Sequence, residues 1–77
     1  MSNFILMPDG NAVSPAVIKT VFYYEGKGVI CRDAQNRSIN YIKISSDDHG
    51  RSVRDLIIKA VNEGARASQP DWSFLEQ

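Results

Sequence analysis

Short apolar runs separated by turn-forming residues dominate the first 45 positions, a pattern that is typical of β-strands. The runs lie near residues 3–7, 18–24, 28–33 and 38–45. They are rich in β-branched and aromatic residues, which favour strands. The last three runs are joined by polar connections of about four or five residues, a length that suits hairpins. The pattern therefore predicts an antiparallel meander of about four strands.

The segment between the first two runs is ambiguous. Ala12-Val13 could begin a return strand, but Ser14-Pro15-Ala16 follows directly. Proline removes a donor from a strand ladder, and Ser-Pro favours a turn or a single helical turn. The sequence therefore leaves strand, turn and short helix open for residues 12–17.

A helical period replaces the strand pattern near residue 51. At about 100° per residue, one face carries apolar or small residues, and these are Val53, Leu56, Ile57, Ala60, Val61 and Gly64. The opposite face carries alternating charges: Arg51, Asp55, Lys59 and Glu63. We predict an amphipathic helix near 51–67, with Ser52 and Asp55 as a loose capping box, although the helix could also begin a few residues earlier. The charged face is expected to be solvated.

Residues 68–77 form a short tail in which Trp72, Phe74 and Leu75 are apolar. Three large apolar groups in four positions predict docking, because terminal residues are otherwise often disordered. Docking on the tail's own sheet is favoured because it requires no second chain. Docking on a neighbouring copy would produce a domain-swapped dimer.

These elements predict one small α+β domain over residues 1–77, with the C-terminal helix packed on one face of the sheet. The other face has no predicted cover except the tail. Adjacent aromatic residues at 22–24 place at least one ring on that second face, because strand side chains alternate. The candidate interaction surface consists of Tyr23, Tyr24, Ile39, Tyr41, Trp72, Phe74 and Leu75.

The length of 77 residues permits only one modest core. Domains of this size often rely on disulfides, a metal or oligomerisation. Cys31 is the one cysteine and His49 the one histidine, so that neither an internal disulfide nor a structural zinc site is expected. Oligomerisation remains, and it predicts a homodimer. No cofactor is expected.

The nine basic side chains balance the nine acidic ones. A net charge of zero gives little long-range attraction for nucleic acid or an anionic membrane. No apolar run approaches the roughly 18 residues that span a bilayer. The first residues lack a signal-peptide pattern, and a lone thiol fits a reducing compartment, so a cytoplasmic location is expected.

Three functional hypotheses follow. The leading one is a non-enzymatic interaction module that binds itself or another protein. The alternative is single-stranded nucleic-acid binding by an aromatic and basic sheet face, with Tyr23, Tyr24, Arg32, Tyr41 and Lys43. A Cys31–His49 dyad is a weak third, because a mid-strand cysteine is more often a small buried hydrophobe. The protein is not expected to be an enzyme.

Overall fold

The computed structural model describes residues 4–63 and 69–76. Five short strands and one long helix make up most of this part of the chain. The strands are β1 (Ile5–Leu6), β2 (Ala12–Val13), β3 (Thr20–Tyr24), β4 (Gly28–Arg32) and β5 (Ser38–Lys43), and the helix is α1 (Asp47–Glu63). Two short 3-10 helices, Pro15–Val17 and Ser73–Glu76, complete the set.

The antiparallel arrangement with one C-terminal helix confirms the predicted α+β class. β3, β4 and β5 form a meander in which β4 is central. β1 differs from the prediction because it pairs with β2 in a separate two-stranded hairpin, with Ile5 opposite Val13. The turn between them is tight: Gly10 has a φ of 93°, and the amide of Met7 donates to the carbonyl of Asn11 at 2.7 Å.

Residues 12–17 contain two of the three structures that the sequence leaves open. Ala12 and Val13 form β2, and a 3-10 helix starts at Pro15. The Ser14 hydroxyl accepts a hydrogen bond from the amide of Ala16 at 3.4 Å. Proline suits the first helical position, because its fixed φ is helical and its missing N–H would have no partner there.

The core lies between the inner face of the meander and α1. Val29, Cys31 and Ile42 point inward from β4 and β5, and they pack with Val53 and Ile57 of the helix. Side chains from the first hairpin and the segment after it complete the cluster: Ile5, Met7 and Ile18. The hairpin therefore supplies part of the core that a three-stranded sheet and one helix would leave open.

The helix begins at Asp47, which agrees with the earlier start that the sequence leaves open, and the predicted capping box is wrong. Ser46 caps the helix: its carbonyl accepts from the amide of Gly50 at 2.8 Å, and its hydroxyl accepts from the amide of His49 at 3.4 Å. Ser52 and Asp55 are exposed positions inside the helix. The predicted extension to residue 67 lies outside the described residues from position 64 onward.

Tyr23 fastens the start of α1 to the sheet. Its ring covers the buried Gly50, where a β-carbon would lie 2.6 Å from Cδ1 of the ring. Its hydroxyl donates to the carboxylate of Asp47, which also accepts from the amide of Gly26 at 3.1 Å. Partial burial and this hydrogen bond raise the pKa of Tyr23, while the same bond lowers the pKa of Asp47.

The solvent-facing side of α1 agrees with the prediction. Arg51, Asp55, Lys59 and Glu63 are all exposed. Arg51 pairs with Asp48 at 2.7 Å. Exposed ion pairs of this kind contribute little to stability, so the buried stripe of the helix holds it in place.

Candidate interaction surfaces

Large apolar side chains are exposed on the side of the meander opposite α1. Phe22, Ile30 and Tyr41 lie side by side across the three strands, because Ile30 is paired with both of the other residues. Phe22 and Tyr41 are 47% and 48% exposed. We call this surface the outer sheet face, and it comprises Phe22, Tyr24, Ile30, Arg32, Tyr41 and Lys43.

A shallow depression runs between the aromatic rings of the outer sheet face. Its volume is about 440 Å³, and its lining is Tyr24, Lys27, Ile30, Ser38 and Tyr41. The hydroxyl of Tyr41 donates to the carbonyl of Lys27 at 3.2 Å. The rings of Phe22 and Tyr24 have centroids 4.6 Å apart and tilt by 52°. The rings on either side of the depression are therefore held by neighbours.

Arg32 is half-buried at one end of this face. Its two terminal nitrogens make only long hydrogen bonds to neutral acceptors, 3.4 Å to the side chain of Asn36 and 3.5 Å to the hydroxyl of Tyr24. Its Nε is buried and has no partner among the described residues. A buried charged group normally has an ionic partner, so this guanidinium offers an unneutralised charge.

Carboxylates lie beside the outer sheet face but not on it. The rows of paired residues that form the face contain Arg32 and Lys43 and no acidic residue. Glu25 and Asp33 lie in the turns before and after β4. Asp33 is bound by Arg37, whose backbone amide and guanidinium both donate to its carboxylate at 2.9 Å. These hydrogen bonds lower the pKa of Asp33.

The free edge of β5 is a second candidate surface. The amide of Ile44 donates to the carbonyl of Lys27 at 2.9 Å, so Ile44 and Ile42 direct their backbone groups toward β4. In an antiparallel ladder the residues between them point the other way. The backbone N–H and C=O groups of Tyr41 and Lys43 therefore face outward, and no other strand in the described residues pairs with them.

A groove borders this edge on the side of the helix. Its volume is about 580 Å³. Residues from the first turn, the start of α1 and the tail contribute to its lining, among them Pro8, Ser45, His49 and Leu75. The edge of β5 is therefore open both in its hydrogen-bonding groups and in the space beside it.

The corresponding edge of β1 is closed by the tail. The side-chain amide of Gln69 accepts from the amide of Leu6 at 3.0 Å and donates to the carbonyl of Phe4 at 2.7 Å. The indole N–H of Trp72 donates to the carbonyl of Leu6 at 2.7 Å. These side chains satisfy edge groups that another strand could otherwise bind.

The tail docks on its own chain, as predicted, but not on the outer sheet face. Trp72, Phe74 and Leu75 pack at the border of the core. The rings of Phe74 and His49 meet edge to face, with centroids 5.5 Å apart. The tail therefore covers the first hairpin and the start of α1, and the outer sheet face stays uncovered by the described residues.

The predicted surface residues are thus divided between several places. Tyr24 and Tyr41 lie on the outer sheet face. Tyr23 points inward onto α1. Ile39 is the extra residue of a bulge, since Arg32 pairs with Ser38 and Cys31 with Asn40, and it packs against the core. Tyr23 and Ile39 were therefore assigned to the wrong side.

Phe22 and Ile30 were missing from the predicted surface. Phe22 and Tyr24 are two positions apart, so in a strand they must share a face. Ile30 joins them because it pairs with Phe22. The alternation along β3 could have identified Phe22 once Tyr24 was placed outside, whereas Ile30 required the register.

Cys31 is fully buried on the inner face. Burial, with a smaller effect of the Asp9 carboxylate, raises the pKa of its thiol to about 11. A thiol with this pKa is almost entirely protonated at neutral pH, whereas a catalytic cysteine requires the thiolate. The proposed Cys31–His49 dyad therefore has no activated nucleophile.

Comparison with known proteins gives no family assignment: no family model, curated protein or solved structure is significantly similar to this chain. Within residues 4–63 and 69–76, no three His, Cys, Asp or Glu side chains are grouped to hold a metal ion. No helix in the same part of the chain is long and apolar enough to cross a membrane.

Proposed function

We propose that this protein is a non-enzymatic interaction module that acts as a homodimer, and that two copies pair through their β5 edges. The observation that carries the proposal is the outward direction of the backbone groups of Tyr41 and Lys43. Unpaired edge groups are a template for strand addition, and proteins usually cover or disrupt such edges. The edge of β1 is covered in this way by Gln69 and Trp72.

A two-fold axis near Ile42 gives a self-complementary pairing. Tyr41 of one copy then lies opposite Lys43 of the second copy, and the reverse pair follows by symmetry. Each pair exchanges two backbone hydrogen bonds. It also places a lysine ammonium beside a tyrosine ring, a favourable contact, and keeps the two Lys43 side chains from facing each other directly.

The outer sheet face is a poorer dimer interface than the β5 edge. Two copies packed face to face would bring Arg32 and Lys43 of both chains into one contact without any carboxylate from the paired rows. Like charges opposed in this way are destabilising. The groove beside β5, by contrast, provides space for a second strand.

The test compares Lys43→Pro with Lys43→Ala by sedimentation equilibrium across a wide protein concentration range. The wild type is expected to dimerise as the concentration rises. Proline removes the outward N–H of residue 43 but no bond to β4, so Lys43→Pro should remain monomeric. Lys43→Ala retains the N–H and should still dimerise, and circular dichroism checks that both variants fold.

Amide hydrogen exchange gives a second measurement on the unmodified chain. The amides of Tyr41 and Lys43 should exchange fast in dilute protein and slow down as the dimer forms. A wild type that stays monomeric, or a dimer in which these two amides stay unprotected, contradicts the proposal.

A further inference from the structure

We infer that the outer sheet face binds single-stranded nucleic acid, with bases stacked on its aromatic rings and phosphates at Arg32 and Lys43. This second function shares Tyr41 and Lys43 with the β5 edge, but it uses their side chains on the outer sheet face rather than their outward backbone groups, and it does not require dimerisation. The inference rests on three features of the face: exposed rings, cations without ionic partners, and the missing carboxylates.

The rings provide stacking surfaces of the kind that single strands use. Phe22, Tyr24 and Tyr41 surround Ile30, and the depression between Tyr24 and Tyr41 is open to solvent. Base stacking on aromatic side chains tolerates any base, because every base has a π face. A small antiparallel sheet of this type stacks about two or three bases.

The cations lie at the two ends of the face. Arg32 and Gly28 are four residues apart on β4, and Gly28 pairs with Lys43. At about 3.3 Å per residue, the two side chains originate roughly 13 Å apart along the strand direction. No described residue forms an ion pair with either side chain. A chain with repeated phosphates and planar rings matches this order of cation, rings and cation.

The zero net charge of the protein does not oppose this assignment, because no carboxylate lies in the paired rows of the outer sheet face. Four of the nine acidic residues lie on α1, behind the sheet, where three basic residues largely balance them. The half-buried guanidinium of Arg32 has no ionic partner among the described residues, and a phosphate would accept from its terminal nitrogens, which make only long hydrogen bonds to neutral groups. An acidic peptide could also satisfy Arg32, but its carboxylates offer nothing to the row of rings, so a nucleic acid is the better match.

Fluorescence anisotropy with labelled oligothymidylate and oligouridylate tests the inference at low and at moderate salt. Binding to both shows a general single-strand site, and binding to one identifies DNA or RNA as the ligand. A labelled copolymer of glutamate and tyrosine is the acidic-peptide arm. Affinity for the oligonucleotides should fall with salt, since phosphate contacts release counterions.

Variants locate the site. Arg32→Gln should weaken binding roughly tenfold or more and reduce the salt slope by about one. Tyr41→Ser should weaken binding roughly tenfold and leave the slope unchanged, because stacking carries no charge. Lys59→Gln removes the same charge from the exposed face of α1 and should change neither. Arg32→Lys, which keeps the charge, should retain the slope, and melting curves check the fold of each variant.

The inference is overturned if neither oligonucleotide binds at low salt, if Arg32→Gln and Lys59→Gln weaken binding equally, or if only the acidic copolymer binds. None of these results affects the proposed dimer, whose mass is measured separately. A monomeric protein that binds oligonucleotides with the expected variant pattern would refute the dimer and support this inference.

Discussion

The two faces of the three-stranded sheet both carry large apolar side chains but differ in what covers them. On the inner face, Val29 and Cys31 are fully buried beneath α1. On the outer sheet face, Phe22 and Tyr41 are close to half exposed. One strand supplies rings to both sides, since Tyr23 packs on Gly50 while Phe22 and Tyr24 face solvent. The fold therefore buries only one of its two apolar surfaces and leaves the other exposed among the described residues.

The largest expected effect comes from truncating one isoleucine side chain on each face of the sheet. Ile42→Ala deletes a buried side chain and should lower the free energy of unfolding by about 2–5 kcal/mol. Ile30→Ala, on the outer sheet face, should lower it by about 1 kcal/mol, because that side chain is already partly solvated. Urea denaturation measures both, and equal losses would remove the distinction between the faces.

A smaller effect tests the contact that turns Tyr23 inward. Gly50→Ala should destabilise the protein by about 1–3 kcal/mol, since its methyl group displaces the Tyr23 ring. Alanine is otherwise better than glycine in a helix by about 1 kcal/mol. In a Tyr23→Ala background the same change should therefore stabilise the protein. If the sign does not reverse, the Tyr23 ring does not pack on Gly50.

The position of the tail is tested by Trp72→Phe. This variant keeps an aromatic ring but loses the indole hydrogen bond to Leu6, with an expected loss of about 1 kcal/mol. Chemical-shift changes in an NMR spectrum should be confined to β1 and the residues around the tail. Changes centred on Phe22 and Tyr41 would place the tail over the outer sheet face instead.

The smallest expected effect is on the pH dependence of stability. It comes from the hydrogen bond between Tyr23 and Asp47, at the edge of the inner face. The lowered pKa of Asp47 means that its contribution is complete above the unfolded value of about 4 and is lost as the pH falls through the folded value. Asp47→Asn should lack the part of the stability loss at acid pH that comes from protonation of Asp47. Urea titrations from acid to neutral pH measure it, and a constant difference between the two proteins would contradict the role of Asp47.

The raised pKa of Tyr23 makes the free energy of unfolding fall at alkaline pH. Its contribution is complete below the unfolded pKa of about 10 and is lost as the pH rises through the folded value. Tyr23→Phe should therefore resist alkaline unfolding better than the wild type does, relative to their stabilities at neutral pH. The same titrations, extended above pH 10, provide this measurement.

Local patterns were sufficient to predict the helix stripe, the exposed charged face and the three long strands. Val53, Ile57 and Ala60 recur at helical spacing and are buried as expected. Local patterns left the start of the helix open over a few residues, because Ser46 and Ser52 both fit an N-cap. What distinguishes them is the tertiary contact of Tyr23 with Asp47 and Gly50, which a local pattern does not contain.

The candidate site depended on information that strand alternation alone does not carry. The three consecutive rings at 22–24 are compatible with two orientations of β3, and only the packing of Tyr23 on Gly50 selects one of them. The bulge at Ile39 then changes the side on which that residue lies. Net charge also averages over surfaces that the fold separates, so that it does not describe the outer sheet face, whose paired rows carry two cations and no carboxylate.

The closure of β1 by Gln69 and Trp72 has a consequence for the time course of synthesis. These side chains are 63 to 66 positions further along the chain than the backbone groups they bind. Chains emerge from the ribosome N-terminus first, at about 5–20 residues per second. The β1 edge of a nascent chain is therefore unprotected for several seconds, and in that interval a neighbouring nascent copy, or a chaperone, could occupy the place that the glutamine amide later fills.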